Sequence, residues 1–356
     1  MRRSQILVTA LSVLAVASMG AFPTLAETSG TAAKRPELPS NVSVLSAIGE
    51  RAVFSGDSTR VAFVDREFGN AYEIELATGH VRNLTGHLPH VGITRVQYLA
   101  NGDYLITAPR FEGPDARWRS ELWVLDKNLK TPLQPLGVQA FEGVAVSRIA
   151  NRIAWVSTSE HFQFPTRGPN NYYGFPAPTD DDEMFIETAE IAMQAGKPVL
   201  LNRKTAASAK SSKCYMESQD FYANDSRLVY SCYEVAEQYG PATRMPVLSL
   251  DLASGKTTVI RDVRSETNEP EGVFPDGSAV LTECRELGSE KPLELCKVGL
   301  TENSKDYSRL THFTDTSDFG ASNGVISPDG KYMAFQLARK GGLPGQGFGL
   351  LLMRLK

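Results

Sequence analysis

The sequence has fewer basic than acidic residues, and its basic residues are not concentrated in any one region. Its 356 residues include 37 lysines and arginines against 41 aspartates and glutamates, which gives a formal net charge of -4 at pH 7. Proteins that bind nucleic acids neutralise phosphates with clustered lysine and arginine side chains. The chain has no such cluster, so its composition excludes nucleic acid as a partner.

Cysteine is scarce, and its spacing is not that of a zinc site. The four cysteines are Cys214, Cys232, Cys284 and Cys296, whereas structural zinc sites use pairs of ligands about two to four residues apart. An even number of cysteines in an exported chain instead predicts disulfides. Sequence proximity favours the pairs Cys214–Cys232 and Cys284–Cys296, and the second pair flanks the turn GSEKP at 288–292.

Only one long hydrophobic run is present, and it lies at the N terminus. Two arginines precede an apolar stretch from Ile6 to Ala21, and the small residue Ala26 follows. This order is that of a secretory signal peptide, and the run is shorter than the roughly 20 apolar residues of a membrane-spanning helix. We therefore expect residues 1–26 to be a cleaved signal peptide. That leaves no transmembrane anchor and predicts a periplasmic or secreted protein.

The chain does contain one short segment that is repeated six times. Each copy has the end of an apolar strand, then a turn, then a second strand whose residues alternate in hydrophobicity. Asp and Asn suit such turns because their side chains accept nearby backbone N–H groups, and Gly adopts the positive φ that other residues resist. The copies are FSGDSTRVAFV at 54–64, YLANGDYLITA at 98–108, VSRIANRIAWV at 146–156, FYANDSRLVYS at 221–231, VFPDGSAVLTE at 273–283 and ISPDGKYMAFQ at 326–336.

The spacing of these copies predicts a β-propeller. They recur about every 50 residues, and most are followed by a strand, a polar turn and another strand, as at 246–260. Four-stranded units at a regular period are the signature of propeller blades. The sequence therefore predicts an all-β fold, a six-bladed propeller over 40–356 with an insertion at 157–182 in blade three. After a flexible leader at 27–39, residues 40–49 are expected to add the outermost strand of the last blade.

The repeated segments also resemble those of a known family. SPDGKYMAF at 327–335, FPDGSAVL at 274–281 and VLSLDLASGK at 247–256 look like the TolB-like (PD40 or WD40-like) propeller repeats of exported bacterial proteins. The resemblance covers about residues 40–356. It implies a propeller fold and leaves the function open.

Polar residues suited to chemistry fall at the same expected face of the propeller. Loops between blades and loops between second and third strands emerge together there, at the usual ligand mouth. These loops carry His87, His90, His161 and His312. The starts of the inner strands add Glu142, Glu217, Glu269 and Glu271.

Two interpretations of these residues remain open. Histidines and carboxylates around a channel could bind a divalent metal or supply a base and an acid for proton transfer. Under that interpretation His87, His161 and His312 are the candidate ligands of Ca, Mn or Zn. Alternatively, the histidines and glutamates are only polar residues of solvated loops.

The insertion at 157–182 is rich in aromatic residues and proline. It contains Phe162, Phe164, Tyr172 and Tyr173, and it is too long to be a plain connector. It either stacks on a sugar or peptide ring over the mouth or packs on its own blade. The first alternative makes Tyr172 and Tyr173 candidate ligand-binding residues.

Two functions fit the sequence. The first is an exported binding module that holds a protein, a glycan or a small ligand at the channel mouth. The second is an enzyme on the same scaffold, a metal-assisted lyase or hydrolase for a polar, sugar-like substrate. Propellers host both kinds of protein, and the sequence favours the binding module.

Overall fold

The structure is a computed structural model that describes residues 35–167, 173–236, 242–343 and 345–355. The predicted signal peptide at 1–26 and most of the predicted leader lie outside these residues. Across the described ranges, no helix combines the length and the apolar character needed to cross a membrane. The unit described below is Pro36–Lys356.

The strands of the first three blades follow the order of the chain, from the channel outward. β1 (Val42–Ser46) precedes blade one. Blade one consists of β2 (Glu50–Phe54), β3 (Arg60–Val64), β4 (Ala71–Glu75) and β5 (Val81–Asn83). Blade two consists of β6 (Arg95–Tyr98), β7 (Tyr104–Pro109), β8 (Ser120–Leu125) and β9 (Gln134–Gln139). Blade three and its inserted hairpin consist of β10 (Val144–Val146), β11 (Arg152–Thr158), β12 (Thr166–Arg167), β13 (Tyr173–Gly174), β14 (Glu183–Gln194) and β15 (Lys197–Lys210).

The remaining blades are built in the same way. Blade four consists of β16 (Tyr215–Tyr222), β17 (Arg227–Val235), the short β18 (Ala242–Arg244) beside β17, β19 (Val247–Asp251) and β20 (Thr257–Arg261). Blade five consists of β21 (Glu266–Val273), β22 (Ala279–Glu286), β23 (Glu294–Gly299) and β24 (Tyr307–Arg309). After a 3₁₀ turn at Phe313–Asp315, blade six contributes β25 (Phe319–Ile326), β26 (Tyr332–Arg339) and β27 (Leu350–Arg354).

The first strand of the chain closes the ring. β1 pairs with β27, so that Val42 lies opposite Met353 and Val44 lies opposite Leu351. Blade six is therefore completed by a strand from the other end of the chain. The prediction of an all-β, six-bladed propeller closed by an N-terminal strand is confirmed.

The repeated turns join the first and second strands of the blades. In blade six, Asp329 accepts the hydroxyl of Ser327 at 2.6 Å, and Gly330 has a φ of 73°. The copy in blade three lacks Asp and Gly at these positions. There the hydroxyl oxygen of Ser147 accepts the backbone N–H of Ala150 at 3.0 Å. A different side chain thus stabilises the same turn.

The core lies between neighbouring blades, where the apolar faces of their sheets meet. The second strands supply much of it because their alternating residues point to the two faces of each sheet. Fully buried side chains from these strands are Val61, Leu105, Trp155, Val280 and Phe335. Each blade depends on its neighbours, since burial of apolar area is the main stabilising contribution.

Both predicted disulfides are present. Cys214 is bonded to Cys232, and Cys284 is bonded to Cys296. The first links the segment before β16 to β17, and the second links β22 to β23. All the cysteines of the chain are therefore used.

We expect Val42→Asp to open the ring and Val44→Asp to leave it closed. Val42 is 8% exposed in the core of blade six, whereas Val44, two residues along the same strand, is 47% exposed. A carboxylate in the buried position should lower the free energy of unfolding by more than about 2 kcal/mol, and the exposed one by less than about 0.5 kcal/mol. Urea unfolding measures both. Equal effects of the two substitutions would contradict closure by β1.

Candidate functional site

The inner strands of all the blades surround one central void. It has a volume of about 60 Å³, and its lining includes Arg51, Arg95, Val144, Glu271 and Asn323. These residues come from the inner strands of blades one, two, three, five and six, and Gln219 adds blade four. A space shared by every blade lies on the axis of the propeller, so this void is the central channel.

Three glutamates of blade five approach one another there. Glu269 and Glu271 are two residues apart on β21, and Glu283 lies opposite Glu269 on β22. Directly opposed residues of paired strands project from the same face of a sheet. Glu271 is the extra residue of a β-bulge between Pro270 and Gly272, and such bulges re-aim side chains. Ligand oxygens of all three lie within 4.8 Å of one another. We call Glu269, Glu271 and Glu283 the carboxylate group.

Burial raises the pKa of every member of the carboxylate group, and the charge of Glu283 adds to this effect for Glu269 and Glu271. Burial raises the pKa of Glu283 to about 7, although the backbone N–H of Asn323 donates to it at 2.7 Å. Burial, followed by the charge of Glu283, raises the pKa values of Glu269 and Glu271 well above the usual range. Carboxylates this close cannot all ionise at low cost. At neutral pH the group must therefore share protons or hold a cation.

An arginine-rich side of the channel faces this acidic side. A guanidinium nitrogen of Arg95 lies 3.0 Å from Glu217 and 3.7 Å from Glu142, and Arg117 donates to Glu142 at 2.7 Å. Burial opposes ionisation of Glu142, but the charges of Arg117 and Arg95 outweigh it and lower its pKa. Burial, then the charge of Glu142, raises the pKa of Glu217. The channel thus has positive charge near Arg95 and Arg117 and acidic side chains at the carboxylate group.

Three channel residues other than glycine have left-handed backbone conformations. Their φ values are 55° for Arg51, 55° for Glu142 and 48° for Asn323. Such conformations cost on the order of 1–3 kcal/mol each, and they concentrate at functional sites. Arg51 lies in β2, Asn323 lies in β25 and Glu142 lies two residues before β10, so backbone strain occurs beside the channel as well as in turns such as those at Ser58 and Leu129.

The aromatic insertion packs on the protein and supports the channel from the side. Phe162 is buried, and the ring of Phe175 lies 4.6 Å from that of Tyr215 and 6.0 Å from that of Tyr233. The hydroxyl of Tyr233 donates to Glu217 at 3.0 Å. The described residues therefore favour packing over a stacking platform. Tyr172 and the side chain of Tyr173, predicted as ligand-binding residues, lie outside what the structure describes.

The predicted histidine ligands do not join the carboxylate group. Among the described residues, the one set of three or more ligand atoms within 4.8 Å contains glutamates only. His87, His161 and His312 are exposed, because they lie on loops and not on inner strands. The predicted metal set of these three histidines is therefore not assembled in the structure.

His90 also lies apart from the carboxylate group, and it is half-buried. Its Nε2 lies 3.1 Å from the side-chain oxygen of Asn70, and its Nδ1 accepts the N–H of Gly92. Burial lowers its pKa. These contacts give His90 a structural role in its loop.

The predicted glutamates do lie beside other charged residues of the channel. Glu142 and Glu217 both contact Arg95, and Glu269 belongs to the carboxylate group. Glu283 was missed in the sequence because it lies in a second strand. Counting back from the turn of blade five would place Cys284 opposite Glu269. A β-bulge between Pro270 and Gly272 shifts the pairing by one residue, so that Glu283 lies opposite Glu269, and the hairpin pattern alone does not reveal it.

Comparison with known proteins shows the fold of this chain but not its function. No family model matches the chain, and no curated protein matches its sequence. Among solved structures, an oligogalacturonate lyase in complex with manganese has a TM-score of 0.54 at 11% identity, over 88% of this chain and 93% of that one. A gluconolactonase from Xanthomonas campestris has a TM-score of 0.53 at 12% identity, over 88% and 89%.

The structure of TolB from Acinetobacter baumannii is about as similar to this chain as those two structures are. Its TM-score is 0.52 at 10% identity, over 85% of this chain and 65% of TolB. The resemblance of the repeats to TolB-like propellers is thus matched by a shared propeller fold. At such identities the likeness does not extend to function.

We expect the stability of the metal-free protein to fall as pH rises from about 5 to 7.5. The folded chain keeps protons on the carboxylate group above the ordinary pKa of 4.5, whereas the unfolded chain releases them near that value. Raising the pH through this window therefore favours the unfolded state. Thermal unfolding in EDTA at several pH values measures the effect.

Glu283→Gln, a neutral substitution of similar shape, should raise the melting temperature at pH 7.5 and flatten this dependence. Glu286→Gln, at an exposed position on the same strand, serves as the control and should change little. The lowered pKa of His90 acts in the opposite direction, so the comparison of the two variants is decisive. A Glu283→Gln protein that is less stable than the control at pH 7.5 would contradict the analysis.

Proposed function

We propose that this protein is an exported binding module that holds a divalent cation in its central channel. The carboxylate group carries the proposal, since the ligand oxygens of its three members lie within 4.8 Å of one another. Burying carboxylates without a compensating charge is costly, and a bound cation removes that cost. Carboxylate oxygens are also the ligands that hard divalent cations prefer.

A neutral oxygen in the same void supports the proposal. The side-chain oxygen of Gln97 is buried and has no hydrogen-bond partner among the described residues. Gln97 lines the void together with Glu271. Amide oxygens join carboxylates as ligands of calcium, and carbonyl and carboxylate ligands also suit manganese. A donor set of oxygens only favours Ca or Mn over Zn, which takes thiolate and imidazole ligands more often.

The disulfides support export. Disulfides form and persist in oxidising compartments such as the periplasm or the cell exterior, and both pairs are present here. With the sequence expectation of a signal peptide, they favour a periplasmic or secreted location.

A metal-assisted enzyme is the second candidate, and one observation favours it. The pKa of Glu283 is about 7, which is the range of an effective general base or acid. The oligogalacturonate lyase that binds manganese has the same fold, although that likeness extends only to the fold. A lyase or hydrolase acting on a polar, sugar-like substrate would use the same carboxylate group.

Calorimetric titration of CaCl₂ and of MnCl₂ into EDTA-dialysed protein at pH 7.5 tests the proposal. We expect one cation per chain, bound through the carboxylate group. Glu271→Gln removes one ligand and should weaken binding by at least about tenfold, which corresponds to about 1.4 kcal/mol. Binding should also weaken at pH 5.5, because protons then compete for the same oxygens.

Two controls separate the alternatives. Glu286→Gln should bind like the unmodified protein, since its carboxylate lies outside the group. The double variant His87→Ala, His312→Ala should also bind normally. Loss of binding in the histidine variant, or unchanged binding in Glu271→Gln, would contradict the proposed site.

A further inference from the structure

A second, larger cavity adjoins the channel. Its volume of about 720 Å³ lies within the range of roughly 300–1,000 Å³ typical of small-molecule sites. It is lined by the turns between first and second strands, including Gly56 of blade one, Gly102 of blade two and Pro328 of blade six. This is the end of the channel opposite to the loops that carry the histidines, because each inner strand runs from those loops to these turns.

Glu271 connects the two spaces. It lines both the central void and the larger cavity, as do Gln97 and Gln219. A cation held by Glu271 would therefore be reached from the larger cavity. With one oxygen from each residue, the carboxylate group and Gln97 provide four ligands. Calcium takes six to eight, so in this arrangement coordination positions remain for a ligand in that cavity.

The wall formed by blades one and two has an excess of positive charge. Arg60 lies 3.3 Å from Glu73, and Arg82 lies 3.7 Å from the same carboxylate. Arg82 also donates to the hydroxyl of Tyr104 at 3.0 Å. The ammonium of Lys127 donates to a backbone carbonyl at 2.9 Å. Within the described part of the chain, these three cations therefore have one carboxylate, Glu73, as ion-pair partner.

The other acids of this cavity reduce that excess without removing it. Asp57 accepts the hydroxyl of Ser55 at 2.5 Å and that of Thr59 at 2.7 Å, and these bonds lower its pKa to about 2, so its negative charge offsets part of the charge of Arg60. Asp220 is paired with Arg148 at 2.7 Å. Glu271 belongs to the carboxylate group and would be neutralised by the proposed cation. Against Arg60, Arg82 and Lys127 stand Glu73 and Asp57, so the blade one and blade two wall has one more cationic than acidic side chain.

We infer that the larger cavity binds a small organic dicarboxylate. One carboxylate of the ligand would complete the coordination of the channel cation, and the other would contact Arg60, Arg82 and Lys127. Guanidinium groups suit this role because they bind carboxylates in a charge-assisted, bidentate manner. The inference rests on the proposed function, since it requires the cation, and it adds a ligand class and a side of entry.

Calorimetric titration of succinate into the protein tests the inference, with free Ca²⁺ kept in excess. Succinate is a dicarboxylate that chelates metal ions only weakly, and succinamide has the same carbon skeleton without the charges. We expect saturable binding of succinate, no binding of succinamide, and at least tenfold weaker binding of succinate in EDTA.

A matched pair of lysine variants locates the ligand. Lys127 lines the cavity, whereas Lys130 lies in the same turn and is not part of the lining. Both are exposed, so neither substitution should disturb the fold. Lys127→Gln should weaken succinate binding at least fivefold, and Lys130→Gln, which changes the net charge equally, should leave it unchanged.

The outcomes separate the two proposals. If Ca²⁺ binds and succinate does not, or if the two lysine variants behave alike, the inference is wrong while the proposed cation site stands. If Ca²⁺ fails to bind to the unmodified protein, the proposed function fails and the inference falls with it. Succinate binding that persists undiminished in EDTA would also overturn the inference, because its first carboxylate would then have no cation to bind.

Discussion

The pairing of β1 with β27 is the contact on which the rest of this structure depends. It joins the two ends of the described chain in blade six, and it lets every blade pack on two neighbours. An open row of sheets would leave two apolar faces exposed to water, at a cost that grows with the exposed area. Closure also creates the channel. Without it, Arg51 of blade one and Asn323 of blade six would not line the same void as Glu271.

The channel concentrates charge that the rest of the chain disperses. Glutamates of blades three, four and five face arginines from blades one and two, and only some of them form ion pairs. Among the described residues, the carboxylate group forms no ion pair, and burial raises its pKa values. A protein under no functional constraint would gain stability from apolar or amide side chains at these positions. The presence of three glutamates there is the physical basis of the proposed binding function.

The sequence predicts the fold well because the fold is repetitive. Six copies of one turn, with Ser327 and Ser147 at matching positions, specify the blades, and the cysteine spacing favours both disulfides. The site is harder to predict, because it is assembled from single residues on different blades. Glu142, Glu217 and Glu269 were identified from their positions at the starts of inner strands. The histidines were placed by a different criterion, their position on loops at the expected mouth. Which of these loops reach the axis depends on side-chain packing that the repeat does not encode.

The disulfides lie next in the chain to residues of the channel. Cys232 precedes Tyr233, whose hydroxyl contacts Glu217, and Cys284 follows Glu283 of the carboxylate group. Each covalent link therefore fixes the strand that presents one of these side chains. A newly made chain in a reducing cytoplasm lacks both links, and its acidic oxygens are held in place by weaker forces alone. If the protein is exported as proposed, the cation site would therefore reach its final geometry only after the disulfides form outside the cytoplasm.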